Sequence, residues 1–183
     1  AVNAGVAFGK RVEPFDPALL SEHVAYPWFK DYPGGKHPRE GETAPYATGD
    51  EGPKYSWIKA PRYRQQPAET GPLAEAMVAG GALVTDLVSR YGTSALAREL
   101  ARLVRPAHLL PVMEAWIKEA MIGGTYFNEP PSVASGRGFG LTQACRGALG
   151  HWVEIRDGRI EHYQIITPTA WNEHQIEAMI ALG

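Results

Sequence analysis

The sequence predicts an α+β chain that is mainly helical: a helix bundle, an irregular proline- and aromatic-rich N-terminal layer, and a β-hairpin near the C-terminus. Three observations carry this. Prolines and aromatics alternate through the first 70 residues. Apolar residues then recur at helical spacing over the next 50. Near the C-terminus, Asp157-Gly158 stands between two segments of strand-like alternation, and Asp-Gly suits a two-residue turn because both central residues need positive φ.

Residues 1–70 hold Pro14, Pro17, Pro27, Pro33, Pro38, Pro45, Pro53, Pro61 and Pro67, with Gly34-Gly35 between them. Proline at this density prevents long helices and favours extended segments and turns. A disordered linker would be poor in aromatics, whereas this stretch carries Phe15, Tyr26, Trp28, Phe29, Tyr32, Tyr46, Tyr55, Trp57 and Tyr63. It therefore reads as an ordered layer, either coating the chain's own core or docking another subunit. Lys59, Arg62 and Arg64 form a small basic cluster within it, which by itself reads as a solvated face.

The helices follow over residues 71–121. Gly71-Pro72 opens the first, where the missing proline N–H does no harm. Leu73, Met77, Gly80, Val84, Leu87 and Tyr91 make one face, and Gly92 ends it. Gly80-Gly81 in its middle costs about 1 kcal/mol per glycine relative to alanine and points to close approach of another backbone. Thr93 or Ser94 caps the next helix, with Leu96, Leu100 and Leu103 inward and Arg98, Arg102 and Arg105 on the wet side. Pro106 separates it from a third helix carrying Leu109, Met113, Trp116, Ile117 and Ala120.

Gly123-Gly124 and Pro130-Pro131 return the chain to loop, leading to a candidate site region over 138–172. Gly136-x-Gly138-x-Gly140 precedes a strand rather than opening a helix, so it does not suit phosphate binding. Around the Asp157-Gly158 turn, Ile155 should face Ile160, Val153 face His162 and Trp152 face Tyr163. Extending that register places Arg146 opposite Thr169, roughly 5 Å apart, provided no bulge intervenes. A site-forming cation and a structural arginine tying down a loop carbonyl both fit this pattern. A last short helix over 173–183, with Ile176, Met179 and Ile180, closes the chain.

The whole-chain properties exclude several functions. A length of 183 residues suffices for one domain, or part of one, with a real core. The net charge of -2 leaves no basic surface for nucleic acid. No apolar run reaches the ~18 residues of a membrane span. The N-terminal Ala-Val-Asn-Ala-Gly-Val lacks the regions of a signal peptide, and without an initiator Met it reads as processed or as part of a longer polypeptide. The single cysteine, Cys145, excludes an internal disulfide and suits a reducing compartment: the cytoplasm or the cytoplasmic face of a membrane. None of the six histidines shows metal-ligand spacing.

Two ordered blocks closely resemble the large subunit of nickel–iron hydrogenases. The first includes His23-Val24, Trp28-Phe29, His37-Pro38, Tyr55-Ser56-Trp57-Ile58-Lys59-Ala60-Pro61-Arg62-Tyr63 and Glu69-Thr70-Gly71-Pro72-Leu73-Ala74. The second is Leu141-Thr142-Gln143-Ala144-Cys145-Arg146-Gly147-Ala148-Leu149-Gly150-His151-Trp152 with Tyr163-Gln164-Ile165-Ile166-Thr167-Pro168-Thr169-Ala170-Trp171-Asn172. The resemblance runs from about Phe8 to Asn172.

That resemblance implies a catalytic subunit that oxidises H2 by heterolytic cleavage. Electrons would pass to an iron–sulfur small subunit and on to an acceptor. It implies a nickel–iron centre with CO and cyanide ligands, a structural magnesium, and iron–sulfur clusters in the partner of a heterodimer. By the same resemblance, Arg146 is the arginine beside the metal centre, donating to a cyanide and assisting the splitting of H2. Thr169 is the hydroxyl donor to the second cyanide, and Thr167 and Pro168 shape its pocket. The backbone carbonyl of Ile165 corresponds to a magnesium ligand. Trp57, Lys59 and Arg62 fall in the docking layer.

Three departures stand out. Cys145 replaces the family's usual proline, and Gln143 its glutamate. The two Cys-x-x-Cys pairs that hold the centre, one near each end of the family's subunit, are absent here. The reading is a large-subunit segment of uptake type whose thiolates lie outside this chain. The alternatives are an H2-sensing regulatory subunit and a non-catalytic scaffold that has lost the metal.

Overall fold

The computed structural model describes residues 4–120 and 122–173. It belongs to the mixed α/β class, but helix does not dominate: seven strands accompany four α-helices among the described residues. The chain divides into two compact units, Ala1–Pro14 with Pro72–Ser132, and Phe15–Gly71 with Val133–Gly183. The expected closing helix around Ile176 lies outside the described residues.

In the first unit, β1 (Gly5–Phe8) and β2 (Arg11–Pro14) form an antiparallel hairpin beside α1 (Pro72–Val78), α2 (Ala82–Tyr91) and α3 (Ala95–Glu119). The single helix expected over 72–91 is two helices, bent by 111°. The reason is local: Gly80 has φ +72, a left-handed conformation that glycine alone adopts without cost, and Gly81 caps α2. A Cβ at Gly81 would lie 3.3 Å from the Ala76 carbonyl oxygen, so the close approach expected at this glycine pair is to the preceding helix. Gly92, at φ +64, ends α2 by donating its N–H to Val88 O, as expected.

Ser94 caps α3, its side chain accepting from Ala97 N–H at 3.3 Å. Contrary to expectation, α3 continues through Pro106 and Pro111. Each proline removes one donor from the helical ladder, yet neither ends the helix. The inward face is also rotated. Ala97 and Ala101 are buried against Leu73 and Val84, whereas Leu96 and Leu103 are exposed. Small residues let α3 approach its neighbours where leucines were expected to interlock. Arg105 is not on a wet face either: its Nε donates to Glu75 Oε2 on α1 at 2.8 Å.

In the second unit, Asp16 caps a 3-10 turn, Pro17–Leu19, that leads into β3 (Leu20–His23). β3 pairs with β4 (Ala60–Tyr63). The intervening proline-rich loops are ordered by backbone hydrogen bonds and by Lys54. Its buried ammonium donates to Val24 O, Ala25 O, Pro27 O and Asp31 Oδ1. The aromatics expected in this layer pack on one another, including Phe15 stacked on Tyr63 and Trp57 edge-on to Trp28 and Phe29.

The C-terminal part of this unit is an antiparallel meander of β5 (Gly136–Ala144), β6 (Gly147–Arg156) and β7 (Arg159–Ile166), followed by α4 (Pro168–Glu173). The segment leading into the hairpin, expected as loop, is a strand, although its alternate glycines depress strand propensity. Pairing along all of β6 overrides that preference. Trp152, Ile166, Ala170 and Trp171 join Leu20, Val24 and Tyr63 among the unit's buried residues.

Candidate functional site

The Asp157-Gly158 turn forms as expected, with φ +51 and +69 at its two residues. Arg156 faces Arg159 and Ile155 faces Ile160, and then the register shifts. Beyond the irregularity at Glu154/Ile155, Val153 pairs with Tyr163 rather than His162, and Trp152 with Gln164 rather than Tyr163. Glu161 is the extra residue. Pairing ends at Gly150 with Ile166, because the chain turns at Thr167 into α4.

The ladder therefore does not bring Arg146 opposite Thr169. Arg146 lies instead in a second tight turn, Cys145-Arg146, closed by the pairing of Ala144 with Gly147. Both turn residues are exposed. The Arg146 guanidinium makes no hydrogen bond or ion pair with any described residue, so it is not tying down a loop carbonyl there.

A different device holds the two segments. Thr70 N–H donates to Asn172 Oδ1 at 3.0 Å, and Thr70 Oγ1 accepts from Ala148 N–H at 2.7 Å. One residue thus ties the base of the Arg146 turn to the end of the helix that carries Thr169. The fit around it excludes side chains. Gly147 has φ +140, and a Cβ there would lie 2.6 Å from Thr70 Oγ1 and 2.8 Å from Gly71 N. Gly71 has φ +125, and its Cβ would lie 3.3 Å from Arg146 O. Thr70, Gly71 and Gly147 all fall within the blocks that carry the resemblance, yet no pattern in the sequence alone marks them as partners.

Thr167 Oγ1 accepts from Ala170 N–H at 3.2 Å and so caps α4. Pro168 is buried, and Thr169 is exposed one position into the helix. The arrangement presents a cation and a hydroxyl on two segments held by one clamp.

A buried polar network lies in the same unit. Glu22 is 2% exposed and accepts from Gln164 Nε2 at 2.9 Å. Gln164 Oε1 accepts from Thr43, whose hydroxyl oxygen in turn accepts from Lys59 Nζ at 2.8 Å. Burial raises Glu22 to about 7, against opposing effects of Lys59, the Gln164 hydrogen bond and His162. Burial lowers Lys59, with Glu22 acting the other way. Tyr32, donating to Glu22 O at 3.0 Å, is pushed up to about 12 by burial and then by the Glu22 charge. Glu22 Oε2 has no hydrogen-bond partner among the described residues.

This network takes Lys59 off the solvated face expected for it. At 6% exposure its ammonium is spent inside the chain. Trp57 is half exposed and keeps an outward surface, while Arg62 is half-buried and donates to Pro61 O at 3.1 Å. Sequence reasoning missed Glu22, because Leu20-Ser21-Glu22-His23 is mostly polar and nothing local marks it as buried. Ile165 is exposed on β7, next to Gln164.

Among the described residues, no group of three or more His, Cys, Asp or Glu side chains is placed to hold a metal. With a single cysteine, the chain lacks the thiolates that a soft nickel–iron centre needs. The fold and site thus define a surround: positioned polar groups without a transition-metal ligand set.

A family profile described as nickel-dependent hydrogenase matches residues 2–178, and the chain belongs to that family. It is similar to the periplasmic [NiFeSe] hydrogenase large subunit of Desulfomicrobium baculatum, at 37% identity over 198 residues, covering 96% of this chain and 37% of that protein. The uptake hydrogenase large subunit of Rhodobacter capsulatus is 35% identical, over 88% of this chain and 34% of its own length. Among solved structures, a [NiFeSe] hydrogenase G491S variant from Desulfovibrio vulgaris Hildenborough superposes with a TM-score of 0.81 at 34% identity, covering 92% of this chain and 38% of that one. The chain spans little more than a third of the length of these relatives.

Proposed function

We propose that this chain is the part of a nickel–iron hydrogenase large subunit that lines the metal centre, within an enzyme that oxidises H2 and passes electrons to an iron–sulfur small subunit. The single observation that carries this reading is the Thr70 clamp, which joins the turn bearing Arg146 to the helix bearing Thr169. In this reading the nickel–iron centre, with its CO and cyanide ligands, is held by cysteines outside these residues and supplies the site of H2 cleavage.

The chain's own residues supply orientation and charge. A fixed guanidinium in a site closed to water stabilises negative charge far more than one in solution. Arg146 brings an uncommitted, exposed guanidinium on a turn pinned at its base; in this reading the rest of the enzyme closes the site to water. Thr169 offers a hydroxyl donor, and Thr167 and Pro168 fix the helix start that carries it. Such outer donors orient and tune metal ligands. Arginine does not lose its proton in proteins, so Arg146 acts as a cation and donor, not as the base. Cys145 sets a thiol at the same turn.

For magnesium, the residues present offer hard oxygen donors of the right kind. These are the Ile165 carbonyl and the unpaired Glu22 oxygen, whose twin is held by Gln164 beside Ile165. Trp57 remains the exposed candidate for small-subunit docking. The reducing compartment is proposed from the single cysteine.

The test is Arg146→Lys in the assembled enzyme. H2 oxidation should fall by about 10²–10³-fold, the range for losing one preorganised donor, with nickel content unchanged. Undiminished turnover at full nickel loading would overturn the assignment. The single cysteine favours one second reading, a scaffold without metal; nickel absent from the isolated complex would establish it.

A further inference from the structure

The meander has two unlike faces. Trp152, Gln164 and Ile166 lie on one and are buried within the second unit. By the register, the opposite face carries Gly136, Gly138 and Gly140 of β5, Val153 and His151 of β6, and Tyr163 and Ile165 of β7. No paired position on that face is Asp, Glu, Lys or Arg. Ile160, Tyr163 and Ile165 on it are 65%, 48% and 41% exposed.

Among the described residues, nothing accounts for Gly138 and Gly140 on this face. Gly138 and Gly140 lack positive φ. A Cβ at Gly140 would meet nothing within 4 Å, and one at Gly138 only Val153 Cγ1 at 3.9 Å, an ordinary distance. Glycine weakens a strand, and where neither a bulge nor a bend explains it, it marks close approach by another backbone. An uncharged, aromatic-bearing strip with a flat glycine row has the composition of a permanent interface core rather than of a transient one.

We propose that this face is covered by the polypeptide that makes up the length by which the large-subunit relatives exceed this chain. Those relatives share the fold, but this chain accounts for only 34–38% of the three compared above. Well over half of each has no counterpart here, enough to cover a three-stranded sheet. The inference rests on the proposed function only in taking this chain as part of a large subunit.

The experiment places the photo-crosslinker p-benzoylphenylalanine at Tyr163, and separately at Ile160, in the complex isolated as the cell assembles it. The expected product joins either position to peptides that align with the part of large-subunit relatives lying outside the match to residues 2–178. Products leading to an iron–sulfur small subunit, to a second copy of this chain, or to no polypeptide overturn the inference. Gly140→Trp supplies an independent arm: among the described residues a Cβ there meets nothing within 4 Å, yet overpacking an interface should lower recovery of the assembled complex roughly tenfold or more. Unchanged recovery overturns it. Nickel content and H2 turnover are measured on the same unsubstituted complex. A normal active enzyme whose crosslinks lead elsewhere sinks this inference alone and leaves the proposed function standing.

Discussion

Gly147→Ala should be the most damaging small substitution in the second unit. Its φ of +140 lies where residues with a Cβ are strained, and such strain costs about 1–3 kcal/mol. The added methyl would also sit 2.6 Å from both Thr70 Cγ2 and Thr70 Oγ1, and 2.8 Å from Gly71 N. The backbone nitrogen cannot swing aside like the end of a long side chain. Overpacking adds roughly 1–3 kcal/mol, so a total near 3–5 kcal/mol is expected. At roughly 2–4 °C per kcal/mol for a chain of this size, the melting temperature should fall by about 10 °C. A double-mutant cycle isolates the cause. Thr70→Ala removes two of the three offending atoms but leaves the nitrogen and the backbone strain. Gly147→Ala should therefore cost about 1–2 kcal/mol less in the Thr70→Ala background, a coupling of the size seen for residues in contact. The assay is differential scanning calorimetry of the four proteins. Additive losses, or a Gly147→Ala protein melting within 2 °C of the parent, would refute the clamp.

Three further outcomes follow from the same structure. Because Glu22 is raised from 4.5 to about 7 by burial, the folded state binds its proton more tightly than the unfolded state. In the magnesium-free protein that stabilisation is complete below about pH 4.5 and is lost as pH rises toward 7, about 3 kcal/mol at ~1.4 kcal/mol per pH unit; with a chelator present, Glu22→Gln should flatten this part of the urea-unfolding profile, and an unchanged profile would exclude Glu22 as its source. Lys54→Met removes the donor shared by three carbonyl oxygens and Asp31, so stability should fall by roughly 2–4 kcal/mol, read as a lower urea midpoint; a loss under 1 kcal/mol would show that water replaces the ammonium. Ser94→Ala should cost about 1 kcal/mol through the lost α3 cap, with Ser94→Asp restoring it in thermal melts; failure of the aspartate to rescue would deny the cap its role.

What could be read from the residues alone was whatever short-range chemistry decides. Asp157-Gly158 specified its turn, Gly92 its helix end and Ser94 its cap, because each depends on a residue's own φ preference or on a hydroxyl three positions from its partner. The hydrogenase blocks marked Arg146 and Thr169 as candidates for the same reason: they are local strings. The path between them could not be read there. One extra residue, Glu161, slips the ladder, and a period-two register carries no warning of a bulge. The actual link, Thr70 to Ala148 and Asn172, spans 78 and 102 residues, and nothing local distinguishes that threonine from its neighbours. The helices divide the same way: positive φ at Gly80 broke one element that periodicity had joined, while pairing with β6 made a strand of a glycine-rich segment. Burial is likewise a property of the assembled unit, which is why Lys59, expected on a solvated face, joins Glu22 in a network that only tertiary packing creates.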